Sequence, residues 1–296
     1  MREYLKNALT KLGMSLPAQW NLIFERRSAK SFSKATIGEE DQLAVLSFLD
    51  DCQMPFVSYD LHIDWVTEET IDNLFYNRKR NVISCPQYLI FRCVPNDKTL
   101  YNLGAVLQQL SLWLHAKGYS ARLQSNFYIG IDDDEAYNDY ADVRDGVMAS
   151  FDNVQPILLP LVMAIGTPED DIGTMKRRTK LRKKQVSGVK DSTEPAMYRI
   201  ISAALASPTE RGENPWHFAI RDGSIDVFMK KRHRFYKKQR ILMRKVGAGC
   251  LMANSIYAAS LLKKEVVVLV EEQLAPKHDY NYVCTLQVRQ GIDNYS

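Results

Sequence analysis

Apolar and polar positions alternate with a few clear periods along the chain. Residues 3–13 and 17–27 have helical spacing, and Pro17 stands near the start of the second stretch, where a missing N–H is harmless. Gly38 leads into a further helix whose leucines, Leu43, Leu46 and Leu49, share one face. Residues 61–66 alternate as a strand, and residues 87–94 are the nearly continuous β-rich run of a central strand. Residues 100–118 form the strongest helix, with Leu103, Val106, Leu107, Leu110 and Leu114 in one stripe and Gly118 at its C-terminal cap. Residues 156–165 read as a buried strand and 168–192 as a polar, basic connection.

A second module follows. Residues 194–206 are helical, 207–216 are a proline-bracketed loop, and 217–220 with 225–229 form a hairpin around Asp222-Gly223, a pair that tolerates positive φ. A long apolar helix at 241–262 and strands at 266–270 and 282–288 complete the chain. Hairpins and long excursions outnumber regular βαβ turns, so the expected class is α+β. Gly104-Ala105-Val106 and Gly247-Ala248-Gly249 both open buried helix segments that lead to a strand. That echo suggests two related halves, residues 1–190 and 191–296.

Composition narrows the class. With 296 residues, 46% apolar and 25% charged, the chain has the makings of a proper core, as one large domain or two small ones. No apolar run reaches the roughly 18–20 residues of a membrane span, and the charged first residues are unlike a signal peptide. A soluble, cytoplasmic protein is expected. The five cysteines form no C-x-x-C pair and the five histidines no H-E-x-x-H, so neither a disulfide framework nor a metal is expected. The net charge of +4 conceals two basic blocks, 176–184 and 230–240, with seven Lys or Arg each; without them the acids outnumber the bases. Such blocks suit a solvated face, an anion site or a nucleic-acid patch with Phe235 and Tyr236 stacking on bases.

Two segments carry candidate chemistry. Arg26-Arg27-Ser28-Ala29-Lys30-Ser31-Phe32 joins two guanidinia, a hydroxyl and an ammonium where a helix ends. That set matches phosphate oxygens, and it equally suits a helix C-terminus. The loop from Ser207 to Trp216, with Pro208, Thr209 and Asn214, could bond the edge of a planar ring or be a turn packed under Trp216. Gly247-Ala248-Gly249 lacks the third glycine of a dinucleotide fingerprint and reads as close helix packing. His115, on an apolar helix, reads as structural. No hydrolase, P-loop or kinase motif occurs.

Together these segments resemble the nitroreductase-fold FMN-dependent flavoproteins. Residues 26–32 are similar to that family's R-R-S-x-R-x-F, and 207–216 to its A-P-S-x-x-N-x-Q-P-W loop. Gly104-Ala105-Val106-Leu107-Gln108-Gln109 is similar to its G-A-x-x-Q-N helix, and Ala164-Ile165-Gly166-Thr167-Pro168 to its A-L-G-Y-P strand end. The order, with the proline loop after the G-A helix, resembles the internally duplicated branch of the family. The resemblance implies a nitroreductase-like α+β fold with a mixed or antiparallel central sheet flanked by helices, its two halves forming a pseudo-dimer. It implies FMN held by Arg26, Arg27, Ser28 and Lys30, with Arg177 or Arg178, at the phosphate. Pro208, Thr209, Gly212 and Asn214 would lie near the ring. It implies hydride transfer from NAD(P)H to the flavin, then to a nitroaromatic, quinone or similar small acceptor, with no catalytic side chain required. The chain would be a monomeric pseudo-dimer or a homodimer. Lys30 stands where the family has Arg, Thr209 where it has Ser, and counting back from Trp216 puts Gly212 at its Asn and Asn214 at its Gln. The alternative is a protein of this fold without reductase activity, with or without flavin, that binds nucleic acid or another anion through its basic blocks.

Overall fold

The computed structural model describes residues 3–57, 61–74, 83–93, 96–124, 159–169, 185–188, 194–209, 214–231, 238–270 and 279–291. In chain order the helices are α1 (Tyr4–Lys11), α2 (Leu16–Glu25), α3 (Glu39–Asp50), α4 (Glu68–Leu74), α5 (Asp97–Ala116), α6 (Pro195–Leu205) and α7 (Lys238–Leu261). The strands are β1 (Leu61–Thr67), β2 (Gln87–Cys93), β3 (Ser120–Gln124), β4 (Leu159–Gly166), β5 (Val186–Ser187), β6 (Trp216–Arg221), β7 (Ser224–Lys230), β8 (Lys264–Leu269) and β9 (Tyr280–Gln290).

The class is α+β, as read from the sequence, but the strands form two sheets. The first is antiparallel in the order β1-β2-β4-β3, and the second runs β5-β6-β7-β9-β8. In each sheet a hairpin-like antiparallel pair leads into a long helix and returns as a second antiparallel pair: β1-β2-α5-β3-β4, then β6-β7-α7-β8-β9. The two therefore share strand order and connectivity. The exception is β5, parallel to β6, by which the chain leaving the first sheet adds a strand to the edge of the second.

The continuous apolar run of β2 is buried at every position because both faces of the first sheet are covered. Leu89, Phe91 and Cys93, with Leu161, Met163 and Ile165 of β4, face the core around α5; Tyr88 and Ile90, with Val162 and Ala164, face Phe32 and Ile71. In the second sheet Phe218, Ile220, Ile225 and Val227 pack on α6 and α7. The Asp222-Gly223 hairpin forms as expected, with Gly223 at φ 69°.

α3 departs from expectation. Leu43 is 67% exposed and Leu46 is also exposed, while Val45, Phe48 and Leu49 face inward. Phe48 stacks on Trp113 at 5.0 Å and lies 5.3 Å from Tyr4, so aromatic contact sets the helix rotation.

α5 and α7 are packed against each other, and each lends side chains to the other half's core: Tyr101 to the second, Val246, Tyr257 and Ala258 to the first. The packing is reciprocal. A Cβ on Gly104 would lie 1.9 Å from the Val246 carbonyl oxygen, and one on Gly249 would lie 2.0 Å from that of Tyr101 and 2.9 Å from Gly104 Cα. The structural counterpart of Gly104 is thus Gly249, not the Gly247 suggested by the sequence echo. One turn on, Gln108 Nε2 donates to Asn254 Oδ1 (2.8 Å), and Asn254 donates to the Ala203 carbonyl (2.9 Å).

Two outcomes follow from this packing. Gly104→Ala or Gly249→Ala should lower stability by about 3 kcal/mol, overpacking outweighing the roughly 1 kcal/mol that alanine adds to a helix; urea unfolding measures it. The five cysteines are all buried and free, and burial pushes Cys85 up to about 11, Cys93 and Cys250 to about 12, and Cys52 and Cys284 higher. A chromogenic thiol reagent at pH 8 should find no reactive group in the native protein and all five in denaturant.

Candidate functional site

α2 is capped at its start by Ser15 and ends at Glu25, so Arg26 and Arg27 lie just beyond its last turn. The two arginines diverge. Arg27 Nη1 turns back onto the Phe24 (2.6 Å) and Arg26 (2.9 Å) carbonyls, which are exposed by the end of the helix. Arg26 reaches inward, and its Nη1 lies 3.3 Å from both Ser28 Oγ and Ser111 Oγ, the latter on α5. Burial is the largest influence on this guanidinium and brings it down to about 10, with Arg27 acting in the same direction and Cys250 against it. It remains a cation at neutral pH. Among the described residues its hydrogen-bond partners are hydroxyls, not carboxylates.

The following residues are clamped by backbone. Ala29 N–H donates to Ser120 Oγ (3.0 Å), Ser120 Oγ–H to the Arg27 carbonyl (3.3 Å) and Arg122 Nη1 to the Ala29 carbonyl (3.1 Å), tying the segment to β3. Ser33 N–H donates to the Thr167 carbonyl (2.9 Å) and Glu169 N–H to that of Ser31 (3.3 Å), around an antiparallel bridge of Phe32 with Pro168. Residues 26–32 and the strand end 164–168, read separately from the sequence, are therefore joined. Lys30 is exposed.

The second candidate segment follows α6. Ser207 closes that helix by donating its hydroxyl to the Ala204 carbonyl (2.7 Å), and Pro208 and Thr209 come next, half-buried. The Pro208 carbonyl oxygen lies over α7, 3.7 Å from where a Cβ of Gly247 would stand. Asn214 is exposed. Gly212, Arg177 and Arg178 lie outside the described residues, as do all of the basic block 176–184 and residues 232–237 of the other.

α7 is what brings the two segments near each other. Cys250, which feels the Arg26 charge and donates its thiol to the Gly104 carbonyl (3.2 Å), is three residues beyond Gly247, a rise of about 4.5 Å. Ser111 and His115 were not among the residues expected here. They are one turn apart on α5, polar positions set between Leu110, Leu112 and Leu114, and that interruption was the available signal. Among the described residues no group of three or more His, Cys, Asp or Glu is arranged to hold a metal, and no helix is long and apolar enough to cross a membrane.

No family model matches the sequence, and no curated protein matches it. Solved structures do. A provisionally named nitroreductase from Thermotoga maritima superposes with a TM-score of 0.57 at 14% identity, covering 91% of this chain and 93% of that one. The chain has the nitroreductase fold. An FMN-dependent nitroreductase from Clostridium difficile matches 56% of this chain and 96% of its own (16% identity, TM-score 0.44). Nitroreductase A from Vibrio parahaemolyticus matches 53% and 70% (17% identity, TM-score 0.40). On this nitroreductase fold, Arg26 stands at the end of α2, facing the α5–α7 packing.

His115 gives the cluster a pH signature. Burial holds its imidazole below the ordinary range of about 6.5; Arg26 and Arg27 add to this, while Glu25 opposes it. As pH falls below about 6.5 the unfolded chain gains a proton here that the folded chain resists, so stability is lost towards acid. His115→Gln should lose less stability than the wild type between pH 7 and 5 in urea titrations; parallel losses would contradict the assignment.

Proposed function

We propose that this chain is an FMN-dependent oxidoreductase of the nitroreductase type, using NAD(P)H and a small electron acceptor such as a nitroaromatic or quinone. The observation that carries the reading is Arg26: a half-buried guanidinium that reaches two hydroxyls and, among the described residues, no carboxylate. A cation in that position is unfavourable until an anion balances it. A phosphate monoester, at roughly −1.5 to −2 charge, supplies such an anion with oxygens suited to a guanidinium fork. The residues present therefore fit the phosphate end of FMN. Bound there, FMN would take hydride from the nicotinamide and pass two electrons to the acceptor.

The chain's own part is binding and orientation. Arg26 and Ser28 hold the anion, Ser111 keeps the guanidinium aimed at it, and Arg27 keeps the end of α2 in register beneath them. Lys30 adds positive charge at the phosphate end, and the sequence offers Arg177 and Arg178 for the same work. Pro208, Thr209 and the backbone towards Gly212 and Asn214 border the ring from the other half, 191–296. Residues 1–190 carry the arginine segment and 191–296 the proline loop, so one chain makes one site. Acid–base side chains are not required.

The purified protein should bind about one FMN per chain, with a shifted visible flavin spectrum, and oxidise NADH or NADPH when an acceptor is supplied. Arg26→Met should fold normally, since it removes a half-buried charge and keeps an apolar stem, but bind FMN about 100-fold more weakly, the worth of a charged hydrogen-bond pair. A wild-type protein that leaves added FMN free would overturn the reading.

A further inference from the structure

Glycine in a helix interior is less stable than alanine by about 1 kcal/mol, so each one needs a reason. Gly104 and Gly249 have theirs in the backbone contact between α5 and α7. Gly247 does not. Among the described residues a Cβ there would meet only the Pro208 carbonyl oxygen at 3.7 Å and Trp216 Cζ2 at 3.9 Å, both ordinary contacts, and its φ is not in the left-handed region. The helix would accept a methyl group at this point, and the sequence leaves it bare.

A second observation falls on the same spot. Trp216 is 3% exposed, and its indole Nε1 is a buried donor with no hydrogen-bond partner among the described residues. Cζ2 and Nε1 are both attached to Cε2, so the orphan N–H is two bonds from the ring atom that stands nearest Gly247. A buried donor left unpaired is unfavourable by about 1–3 kcal/mol. The Pro208 carbonyl adds an acceptor beside it. Bare backbone, an unpaired donor and a carbonyl acceptor thus meet at one turn of α7.

We infer that Gly247, Trp216 and the Pro208 carbonyl form a recognition niche for the polar edge of a planar heterocycle, one whose ring N–H lies next to a carbonyl. The indole N–H donates to the ligand's carbonyl, the Pro208 oxygen accepts its ring N–H, and the missing side chain at 247 lets the ring edge approach the helix. The inference rests on the flavin reading: the imide edge of the isoalloxazine, N3–H between two carbonyls, has that pattern. It assigns Trp216 and Gly247 as positioning residues.

The test uses full-length protein and FMN binding measured by fluorescence quenching, with thermal unfolding of the flavin-free protein alongside. Trp216→Phe keeps an aromatic side chain and removes the donor; it should weaken FMN about tenfold, and the midpoint of the flavin-free protein reads separately the packing lost with the smaller ring. Gly247→Ala should raise that midpoint by about 2 °C and also weaken FMN tenfold or more. The wild type should prefer FMN to its N3-methyl analogue, and Trp216→Phe should still show that preference, because the Pro208 carbonyl reads N3–H. If the wild type binds FMN and both variants bind it equally well, or if the N3-methyl analogue binds as tightly, the niche is refuted and the flavin reading stands. If the wild type binds no FMN, the flavin reading falls and this inference with it.

Discussion

The approach of α5 to α7 sets the geometry of everything else in this protein. Two helices carrying ordinary side chains pack with axes 8–10 Å apart; here Gly104 and Gly249 meet backbone to backbone, each lying against a carbonyl of the opposite helix. That leaves the glycine Cα–H groups facing the Val246 and Tyr101 carbonyl oxygens, a weak attraction repeated on both sides. The short distance also lets Gln108 and Asn254 bond directly in a buried layer and brings the Cys250 thiol to the Gly104 carbonyl. Were these helices separated by even one methyl group, the end of α2 and the loop after α6 would no longer approach the same turns of α7.

Arg26 depends on that distance. Its guanidinium is drawn into the protein by Ser28 and by Ser111 of α5, while Arg27, one residue on, neutralises the carbonyl end of α2. Two adjacent cations thus have different work: one stabilises a helix end, the other is half-buried with hydroxyl partners and, among the described residues, no carboxylate. A half-buried cation without a carboxylate beside it contributes less to the empty fold than a paired one, and such local conflicts are characteristic of functional sites. His115, one turn from Ser111 and held neutral, keeps a third positive charge from joining them.

Much of this was legible in the sequence. The long apolar stripes of α5 and α7, the Asp222-Gly223 turn and the continuous run of β2 each have one favourable outcome, so their patterns sufficed. α3 misled because leucines three apart and the inward trio Val45, Phe48 and Leu49 compete for the same helix, and the larger aromatic surface of Phe48 won against Trp113. The joining of residues 26–32 to the strand end at 164–168 was invisible because it is made through backbone N–H and C=O groups, which every sequence has. Of the glycines, spacing alone could not say which one faces Gly104; only the reciprocal contact does. Arg26 and Arg27 were equivalent on paper, and a single turn of backbone after Glu25 separates their roles.

The two halves also differ where their shared connectivity would make them alike. α3 is followed by a loop to β1, and α6 by a loop of equal length to β6. The first loop is tied to α5 by side-chain amides: Asn102 Oδ1 accepts from Phe56 N–H (3.1 Å), and Gln109 Nε2 donates to the Gln53 carbonyl (2.9 Å). Phe56 then packs beside Tyr101, 6.0 Å between ring centres, against the second core. The second segment meets α7 at Gly247, which has no side chain to tie it, and the Pro208 carbonyl oxygen stands 3.7 Å from where a Cβ would be. If α5 is laid on α7 by matching Gly104 to Gly249, Asn102 falls on Gly247. The same strand connectivity thus carries an amide latch and an aromatic ring in one place and, among the described residues, a bare turn of helix beside a proline carbonyl in the other.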